Sequence, residues 1–340
     1  MNTKTLSDAS VREIEKFREL KQLPLLPCFI EKDLLVADVV RAVCAAGQKQ
    51  GTRILFCGGT SLSQGWDIIG RMSEDADFRI LVPPQLSNNQ KRHLLSAIKQ
   101  EFVADLAAMG HPLEGEVKAR NNNAYIMGHF IYAPRFPLDA SLRPAIKLEI
   151  TAFEPASEVS ELPLRSILDK IAGRMPDVEA PRVPIVSVQD TLADKLVSYL
   201  RRTAADRAGC GRGEYDDRLV RHIYDVHQIV TKKPDVVEKA APLFAQIMDR
   251  DRKTYGNQFP AFQESPIGVL RDEMGHLYDM VTQDRYEAFV RFMVYGDTPT
   301  FTEAARIFQE VAEAFITRAM GERGDQDQGE ESRASAAPSL

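Results

Sequence analysis

Long apolar runs are missing from this 340-residue sequence, and no stretch of about 18 apolar residues could form a membrane span. Residues 1–20 also lack the apolar segment of a signal peptide. The four cysteines show no C-x-x-C spacing, which argues against a structural zinc site. These absences predict a protein of the cytoplasm, where thiols stay reduced, with no membrane partner.

A surplus of positive charge is also missing. The chain carries 43 lysines and arginines against 49 aspartates and glutamates, which argues against a uniformly basic coat for nucleic acid. Local charge is more informative, because six arginines crowd one segment: Arg201, Arg202, Arg207, Arg212, Arg218 and Arg221. Two interpretations stay open, namely an ordinary solvated pair of helices with a loop, or a surface that binds phosphate or RNA.

The order of strand-like and helical patterns predicts the fold class. Short β-branched and apolar runs fall in the first half, whereas everything from residue 189 to about 320 has helical periodicity. This order predicts an α+β core followed by a helical C-terminal domain. The expected divisions are N-terminal helices packing on the core over 1–48, the α+β core over 49–172, a proline-rich linker over 173–184, the helical domain over 185–320 and a disordered tail over 321–340.

Paired glycines follow the first predicted strand, residues 53–56. They are Gly58 and Gly59, and the hydroxyl residues Thr60 and Ser61 come directly after them at the start of a predicted helix. Glycines let backbone amides approach a phosphate closely, and the beginning of a helix favours negative charge. The segment is therefore a candidate binding site for a nucleoside triphosphate.

Two aspartates open the next predicted strand. Asp75 and Asp77 are separated by one residue, so on a strand both lie on one side while Ala76 and Phe78 face the core. Carboxylates this close repel unless a cation lies between them, which predicts a Mg²⁺ site. An exposed acidic turn is the alternative, and the glycine-rich element upstream favours the metal.

A third carboxylate is expected from a neighbouring strand. Glu149 is the best candidate, because the run 145–153 is apolar on one side and carries Lys147, Glu149 and Thr151 on the other. Such a carboxylate can help to hold metal and take a proton from an attacking hydroxyl. The alternative is an edge-strand lysine–glutamate pair in solvent, and Asp139 is a weaker rival for the role.

Two helical segments in the second half carry further candidates. Lys195 lies about one turn into a helix that opens near residue 189, where it could reach a triphosphate or simply form a surface ion pair. Arg218, Arg221, His222 and Asp225 share a stripe on a later helix. This stripe is either an ordinary salt-bridged face or a wall of the active site. In the second case Asp225 would orient Lys195 or an arginine, and His222 would be either a general base or structural.

These segments together resemble the AbiEii/AbiGii nucleotidyltransferase-like toxins of bacterial abortive-infection and type IV toxin–antitoxin pairs. The matching segments run in order from about residue 30 to 230: residues 30–33, 56–63, 71–77, Asp190 with Lys195, and 221–226. The block from the paired glycines to Asp77 is the specific part. The downstream matches are weaker singly but occur in the expected order.

The resemblance implies a polymerase-β-like nucleotidyltransferase core that uses Mg²⁺ (or Mn²⁺) and an NTP substrate. Asp75 and Asp77 match the metal-binding pair, Ser61 the hydroxyl that contacts phosphate, Lys195 the required lysine and Asp225 the acid of the last motif. The chain departs from some relatives at residues 60–61, which leaves the contacting hydroxyl ambiguous, and at residues 221–222, where acid–base roles do not transfer.

The predicted function is that of a toxin in a toxin–antitoxin or phage-defence pair. Related toxins add nucleotides to the 3′ end of tRNA and so block translation, and an antitoxin encoded nearby restrains them. The corresponding reaction moves NMP from an NTP to RNA, with tRNA as the leading acceptor. Two alternatives are kept: the same chemistry on a protein or small-molecule acceptor, and a binding protein without turnover.

Overall fold

The computed structural model describes residues 3–211 and 216–335, with side chains as far as residue 321. The chain divides into two compact units. The first holds the chain up to Ser187 together with a returning segment, Phe292–Asp297, and the second holds Val188–Arg291 and the chain from Thr298 onward.

A mixed sheet forms the centre of the first unit. Within the described residues it has seven strands in the order β3-β4-β5-β2-β1-β7-β6. Their bounds are β1 Ile54–Cys57, β2 Asp75–Ile80, β3 Lys118–Arg120, β4 Tyr125–Ile131, β5 Ala145–Thr151, β6 Val159–Pro163 and β7 Arg182–Val186. Two pairs are parallel, β2 with β5 and β1 with β7, and the other pairs are antiparallel.

Alternation along the central strands separates an apolar face of the sheet from a polar one. Ala76, Phe78, Leu148 and Ile150 are buried, while their neighbours along β2 and β5, apart from the buried Arg79, are only half-buried. The helices of this unit are α1 Asp8–Glu19, α2 Pro27–Lys49, α3 Gly58–Gln64, α4 Asn88–Ala108 and α5 Ile167–Ile171. Helix α2 contacts β1, β2, β7, α4 and α5, so it runs through the core of the unit.

The second unit is helical throughout its described residues. Its helices are α6 Val188–Arg207, α7 Val220–Lys232, α8 Asp235–Tyr255, α9 Pro260–Glu264, α10 Pro266–Glu273, α11 Gln283–Met293 and α12 Phe301–Ser335, with short 3₁₀ turns at Asp217–Leu219, Gly256–Gln258 and Met274–His276. Apolar stripes of α6 and α7 meet in its core, where Leu192, Leu196 and Ile223 are fully buried. No helix that the structure describes is both long enough and apolar enough to cross a membrane.

The α+β class with a helical C-terminal region is confirmed. Three short strands were not expected. β3 is short and exposed, β6 mixes apolar residues with Ser160 and Glu161, and β7 lies at the end of the proline-rich stretch that was predicted to be a linker. A proline such as Pro184 cannot donate a backbone hydrogen bond and usually interrupts a strand. The register of β7 with β1 is Phe56 with Ile185, so Pro184 is not paired with β1.

The divisions of the chain also differ from the expected ones. Helices α1 and α2 belong to the same unit as the sheet, and the boundary falls after Ser187. Helix α12 continues to Ser335, through much of the region predicted to be a disordered tail. Glutamate, glutamine, arginine and alanine in that region are good helix formers, so helix propensity there does not need an apolar stripe. Residues 336–340 lie outside the described part.

Candidate active site

The three predicted metal ligands lie on the polar face of the central sheet. Asp77 pairs in register with Glu149 across the parallel β2–β5 ladder, and Asp75 pairs with Lys147. Paired residues on neighbouring strands share a face, so Asp75, Asp77 and Glu149 are brought to one side. Because β5 lies between β4 and β2, the alternative of an edge-strand pair for Glu149 is wrong.

Lys147 supplies the positive charge among these carboxylates. Its Nζ lies 2.9 Å from Oε2 of Glu149. Burial lowers the pKa of the Lys147 ammonium, but Glu149, Asp75 and Asp77 raise it more, so the net pKa lies above its ordinary value. The lysine is therefore a fixed cation facing all three acids, a role that the alternating pattern alone did not reveal.

Metal binding fits the chemistry of this donor set, because carboxylate oxygens are the ligands that Mg²⁺ prefers. As placed, no three acidic, histidine or cysteine side chains in the described part of the chain converge closely enough to hold an ion. Glu149 instead contacts Lys147. Asp75, Asp77 and Glu149 are the residues that would hold a metal here. Asp139 accepts hydrogen bonds from Ser141 within a turn and lies outside β5.

Tyr125 is a further neighbour that the sequence did not single out. It lies on β4, where it is the register partner of Thr151 on the face that carries Glu149. Its hydroxyl hydrogen-bonds to Glu149, and burial together with the charge of Glu149 raises the pKa of Tyr125 to about 12. The phenol stays protonated at neutral pH, so it donates to the carboxylate and fixes its orientation. Only the pairing of β4 with β5 reveals this contact.

The paired glycines make room for charged side chains as well as for backbone. Gly58 has φ +76°, and a Cβ there would lie 2.6 Å from Oδ2 of Asp77. A Cβ on Gly59 would overlap the guanidinium of Arg71, a fully buried residue. The sequence predicted that these glycines let backbone amides approach a phosphate. The structure adds that each one accommodates a specific charge, and that Arg71, which was placed only in a matching segment, packs against Gly59.

The two hydroxyls that follow the glycines are both buried. Thr60 Oγ1 donates to the carbonyl of Asp75 at 2.5 Å and lies 2.9 Å from the hydroxyl of Ser73. Ser61 Oγ donates to the carbonyl of Gly58 at 2.9 Å. Thr60 therefore ties α3, which begins at Gly58 rather than at residue 61 as expected, to the start of β2. Ser61 closes the turn at the beginning of the helix.

Three consecutive charged residues of α2 contact the segments that carry the site. Glu31, Lys32 and Asp33 are at most 1% exposed. Glu31 accepts from the backbone N–H groups of residues 135 and 136, and Lys32 lies 2.7 Å from Glu74, directly before Asp75. Asp33 accepts from Gln64 of α3 and from the backbone N–H of Ile167, and burial raises its pKa to about 6. These charges hold the elements that carry the carboxylates.

In the second unit, Lys195 and Asp225 form a buried ion pair. Nζ of Lys195 lies 2.6 Å from Oδ2 of Asp225, with side-chain exposures of 7% and 0%. Nδ1 of His222 lies 3.0 Å from the carbonyl of Lys195. Burial first, and then the charge of Lys195, lowers the pKa of His222 to about 3. His222 is therefore neutral and buttresses the helix that carries Lys195.

The arginine-rich segment is mostly engaged with acids of the same unit. Arg201 lies 2.9 Å from Asp251 and stacks on the Tyr255 ring, Arg202 pairs with Asp216, and Arg207 lies 2.7 Å from Glu273, whose side chain is 1% exposed. Arg218 and Arg221 begin the α7 region, and Arg212 lies outside the described residues. Arg201 and Arg207 thus have structural partners, and Arg202 keeps a side-chain exposure of 36%.

No curated protein matches the chain. Among solved structures, the nucleotidyltransferase toxin MenT4 (Rv2826c) of Mycobacterium tuberculosis H37Rv is 16% identical, with a TM-score of 0.36, covering 90% of this chain and 99% of its own. An antigenic nucleotidyltransferase-like protein of Paracoccidioides brasiliensis is 12% identical, with a TM-score of 0.34, over 66% of this chain and 91% of its own. Neither overlap is close enough to transfer a residue's role.

Family membership is shown by the sequence match to a protein family and not by these solved structures. The profile of the nucleotidyl transferase AbiEii toxin of type IV toxin–antitoxin systems matches residues 41–314. That range includes both aspartates of β2, Glu149 and the Lys195–Asp225 pair. The chain belongs to the AbiEii nucleotidyltransferase toxin family.

Proposed function

We propose that this toxin nucleotidyltransferase transfers NMP from an NTP to the 3′-hydroxyl of RNA, with tRNA as the expected acceptor. The carrying observation is the register of β2 with β5, which sets Asp77 beside Glu149 on the face where Asp75 also lies. Blocked translation would follow from modification of the acceptor end, and we propose that the reaction takes place in the cytoplasm. The family implies an antitoxin partner, and we propose that it is encoded nearby.

The reaction can be assigned to residues of this face. Glu149, oriented by Tyr125, takes the proton as the RNA hydroxyl attacks the α-phosphate. A new O–P bond forms, the bond to the β-phosphate breaks, and pyrophosphate leaves. A bound Mg²⁺ or Mn²⁺ would neutralise charge on the triphosphate, and Asp75, Asp77 and Glu149 would hold it. Lys147 keeps the three acids together before substrate enters.

The triphosphate is assigned to two segments. Gly58, Gly59, Thr60 and Ser61 are proposed to bind it, with backbone amides as the donors. Lys195 is proposed as a further triphosphate ligand, since it matches the lysine that related toxins require. An ammonium has three N–H donors, so its ion pair with Asp225 leaves donors for phosphate oxygens and fixes where Nζ points.

The acceptor RNA is assigned to the arginine-rich segment as a working proposal. It includes Arg201, Arg202, Arg207, Arg212, Arg218 and Arg221. Arg202 supports it best, because its side chain is partly exposed and its partner Asp216 is also accessible. Surface ion pairs of this kind are weak and exchange readily for phosphate.

The test is transfer itself. The protein is incubated with each labelled NTP, Mg²⁺ and total RNA, beside the Asp77→Ala variant as control. Label on tRNA, absent with the variant, is the expected result. Label on another RNA, protein or small molecule would keep the chemistry and change the acceptor. An absence of label with every NTP would favour binding without turnover.

A further inference from the structure

The returning segment Phe292–Asp297, here called the strap, belongs to the same compact unit as the sheet although the chain on either side of it belongs to the helical unit. It runs antiparallel to residues 70–72, the stretch that leads into β2. The backbone N–H of Met72 donates to Met293 at 2.7 Å, and the N–H groups of Tyr295 and Gly296 both donate to Gly70 at 2.8 Å. The strap therefore forms an isolated antiparallel β-bridge, Arg71 with Val294, a few residues before β2.

Two glycines make this approach possible. A Cβ on Gly70 would lie 2.6 Å from Cα of Gly296, and a Cβ on Gly296 would lie 2.9 Å from Cα of Gly70. Both clashes are with backbone, so no rotation of a side chain could relieve them. Neither glycine has a positive φ, so the close crossing of the two segments is the reason that a side chain is excluded at both positions.

Tyr295 connects the strap to α3 as well. Its hydroxyl lies 3.4 Å from the hydroxyl of Ser63 and 3.3 Å from Nζ of Lys170. Lys170 in turn donates to the carbonyl of Ser63 at 2.7 Å and lies 2.9 Å from Asp67. The strap thus touches the far end of the helix that begins with the paired glycines.

Residues 71–74, which begin within the stretch that the strap contacts, carry contacts that support the proposed catalytic carboxylates. Arg71 packs its guanidinium against Gly59, Ser73 bonds to Thr60, and Glu74 pairs with Lys32. A shift of residues 70–72 would therefore move the start of β2 and the glycine-rich segment relative to each other.

We propose that the strap positions the nucleotidyltransfer site, with Gly296 and Tyr295 as positioning residues for Asp75, Asp77 and the glycine-rich segment. This inference rests on the proposed roles of the two aspartates. A misplacement of about 1 Å in reacting groups is enough to lower a rate about a hundredfold, so a Cβ at the crossing should reach the chemistry.

The test compares Gly296→Ala with Gly275→Ala in the full-length protein. Gly275 lies in the second unit, and a Cβ there would meet nothing within 4 Å. We expect Gly296→Ala to lower kcat at least tenfold per folded molecule. Amide exchange should become faster at Met72 and Tyr295, whose N–H groups donate across the crossing, while α6 keeps its protection. If Gly296→Ala does not fold, Tyr295→Phe, which keeps the ring, serves as the second variant. It should cause a smaller loss of kcat, about two- to fivefold.

A role in stability alone would lower the melting temperature and leave kcat and KM per folded molecule unchanged. That result, or unchanged amide exchange at Met72 in Gly296→Ala, would overturn the inference. Asp77→Ala separates it from the proposed function. Transfer that survives Asp77→Ala would remove the assignment of the aspartates, whereas transfer lost in Asp77→Ala but retained in both strap variants would remove only the strap.

Discussion

The first unit contains two groups of three charged residues, and the two groups differ in burial and in their partners. Glu31, Lys32 and Asp33 of α2 are buried, and each has internal partners. Asp75, Asp77 and Glu149 are half-buried on one face of the sheet, with Lys147 as the cation among them. The first arrangement holds elements in place. The second keeps like charges together where a ligand can reach them, which is typical of a site for chemistry.

The largest effect is expected from breaking the buried group. Lys32→Ala removes the ammonium that pairs with the buried Glu74, and removing one member of a buried pair costs about 3–5 kcal/mol. Denaturant unfolding measures this loss. Lys49→Ala is the control, because Lys49 pairs with Glu101 and Asp105 at the surface and should change stability far less. A small loss for Lys32→Ala would mean that the buried group is not structural.

Asp77→Ala should produce the opposite result. Transfer should fall about 10²–10³-fold, as expected when a preorganised electrostatic contact is lost. Stability should hold or rise, because removing one carboxylate relieves repulsion within the half-buried group. Growth inhibition, nucleotide transfer and thermal unfolding are measured on the same variant. An expressed and folded Asp77→Ala protein with nearly normal transfer would contradict the assignment.

Asp33 makes the comparison dependent on pH. Its folded-state pKa is raised from 3.8 to about 6 by burial. Its contribution to stability is therefore present below the unfolded pKa of 3.8 and is lost as the pH rises through about 6. A shift of about two units corresponds to about 3 kcal/mol.

Urea unfolding of wild type and Asp33→Asn at pH 4.5 and 7.5 isolates this contribution from those of other groups. The unfolding free energy of wild type minus that of the variant should be smaller at pH 7.5 than at pH 4.5. The same difference at both pH values would show that Asp33 titrates normally.

Lys195→Ala should weaken NTP binding and slow transfer. A charge-assisted contact is worth about 1.5–3 kcal/mol, or roughly 10- to 150-fold in affinity. Lys195→Arg should recover only part of this, because a planar guanidinium does not replace a compact ammonium. Because these variants alter a buried ion pair with Asp225, calorimetric NTP titration is done on variants first shown to be folded. Unchanged affinity and rate would remove Lys195 from the mechanism.

The smallest effect is expected at the arginine-rich segment. Arg202→Gln combined with Arg212→Gln should weaken RNA binding and reduce the salt slope by roughly one unit per lost phosphate contact. Arg207 is left intact because it pairs with buried Glu273. NTP binding should be nearly unaffected. RNA affinity and salt slope equal to those of wild type would place the acceptor elsewhere.

Local patterns predicted much of this site. The i, i+2 spacing of Asp75 and Asp77 and the alternation around Glu149 placed all three on the polar sides of their strands, and the register of β2 with β5 then joined them. That register could not be predicted, because the partners are about 70 residues apart in sequence. Tyr125 was missed for the same reason, since its contact with Glu149 depends on the pairing of β4 with β5.

The downstream pair was predicted only in part. Helical spacing placed Asp225 on the stripe of His222, and the structure sets it against Lys195 of another helix. The arginines looked available in the sequence because their acidic partners lie up to 66 residues away. Short polar strands such as β3 carry no apolar alternation, so no local signal marks them.

The strap has a consequence for the order in which the protein is made. A ribosome synthesises the sheet first, yet the unit that contains the sheet is complete only when Phe292–Asp297 has emerged. Until then the entrance to β2 lacks its partner segment. The proposed reactive centre therefore lacks one of its supporting segments until translation has passed residue 297.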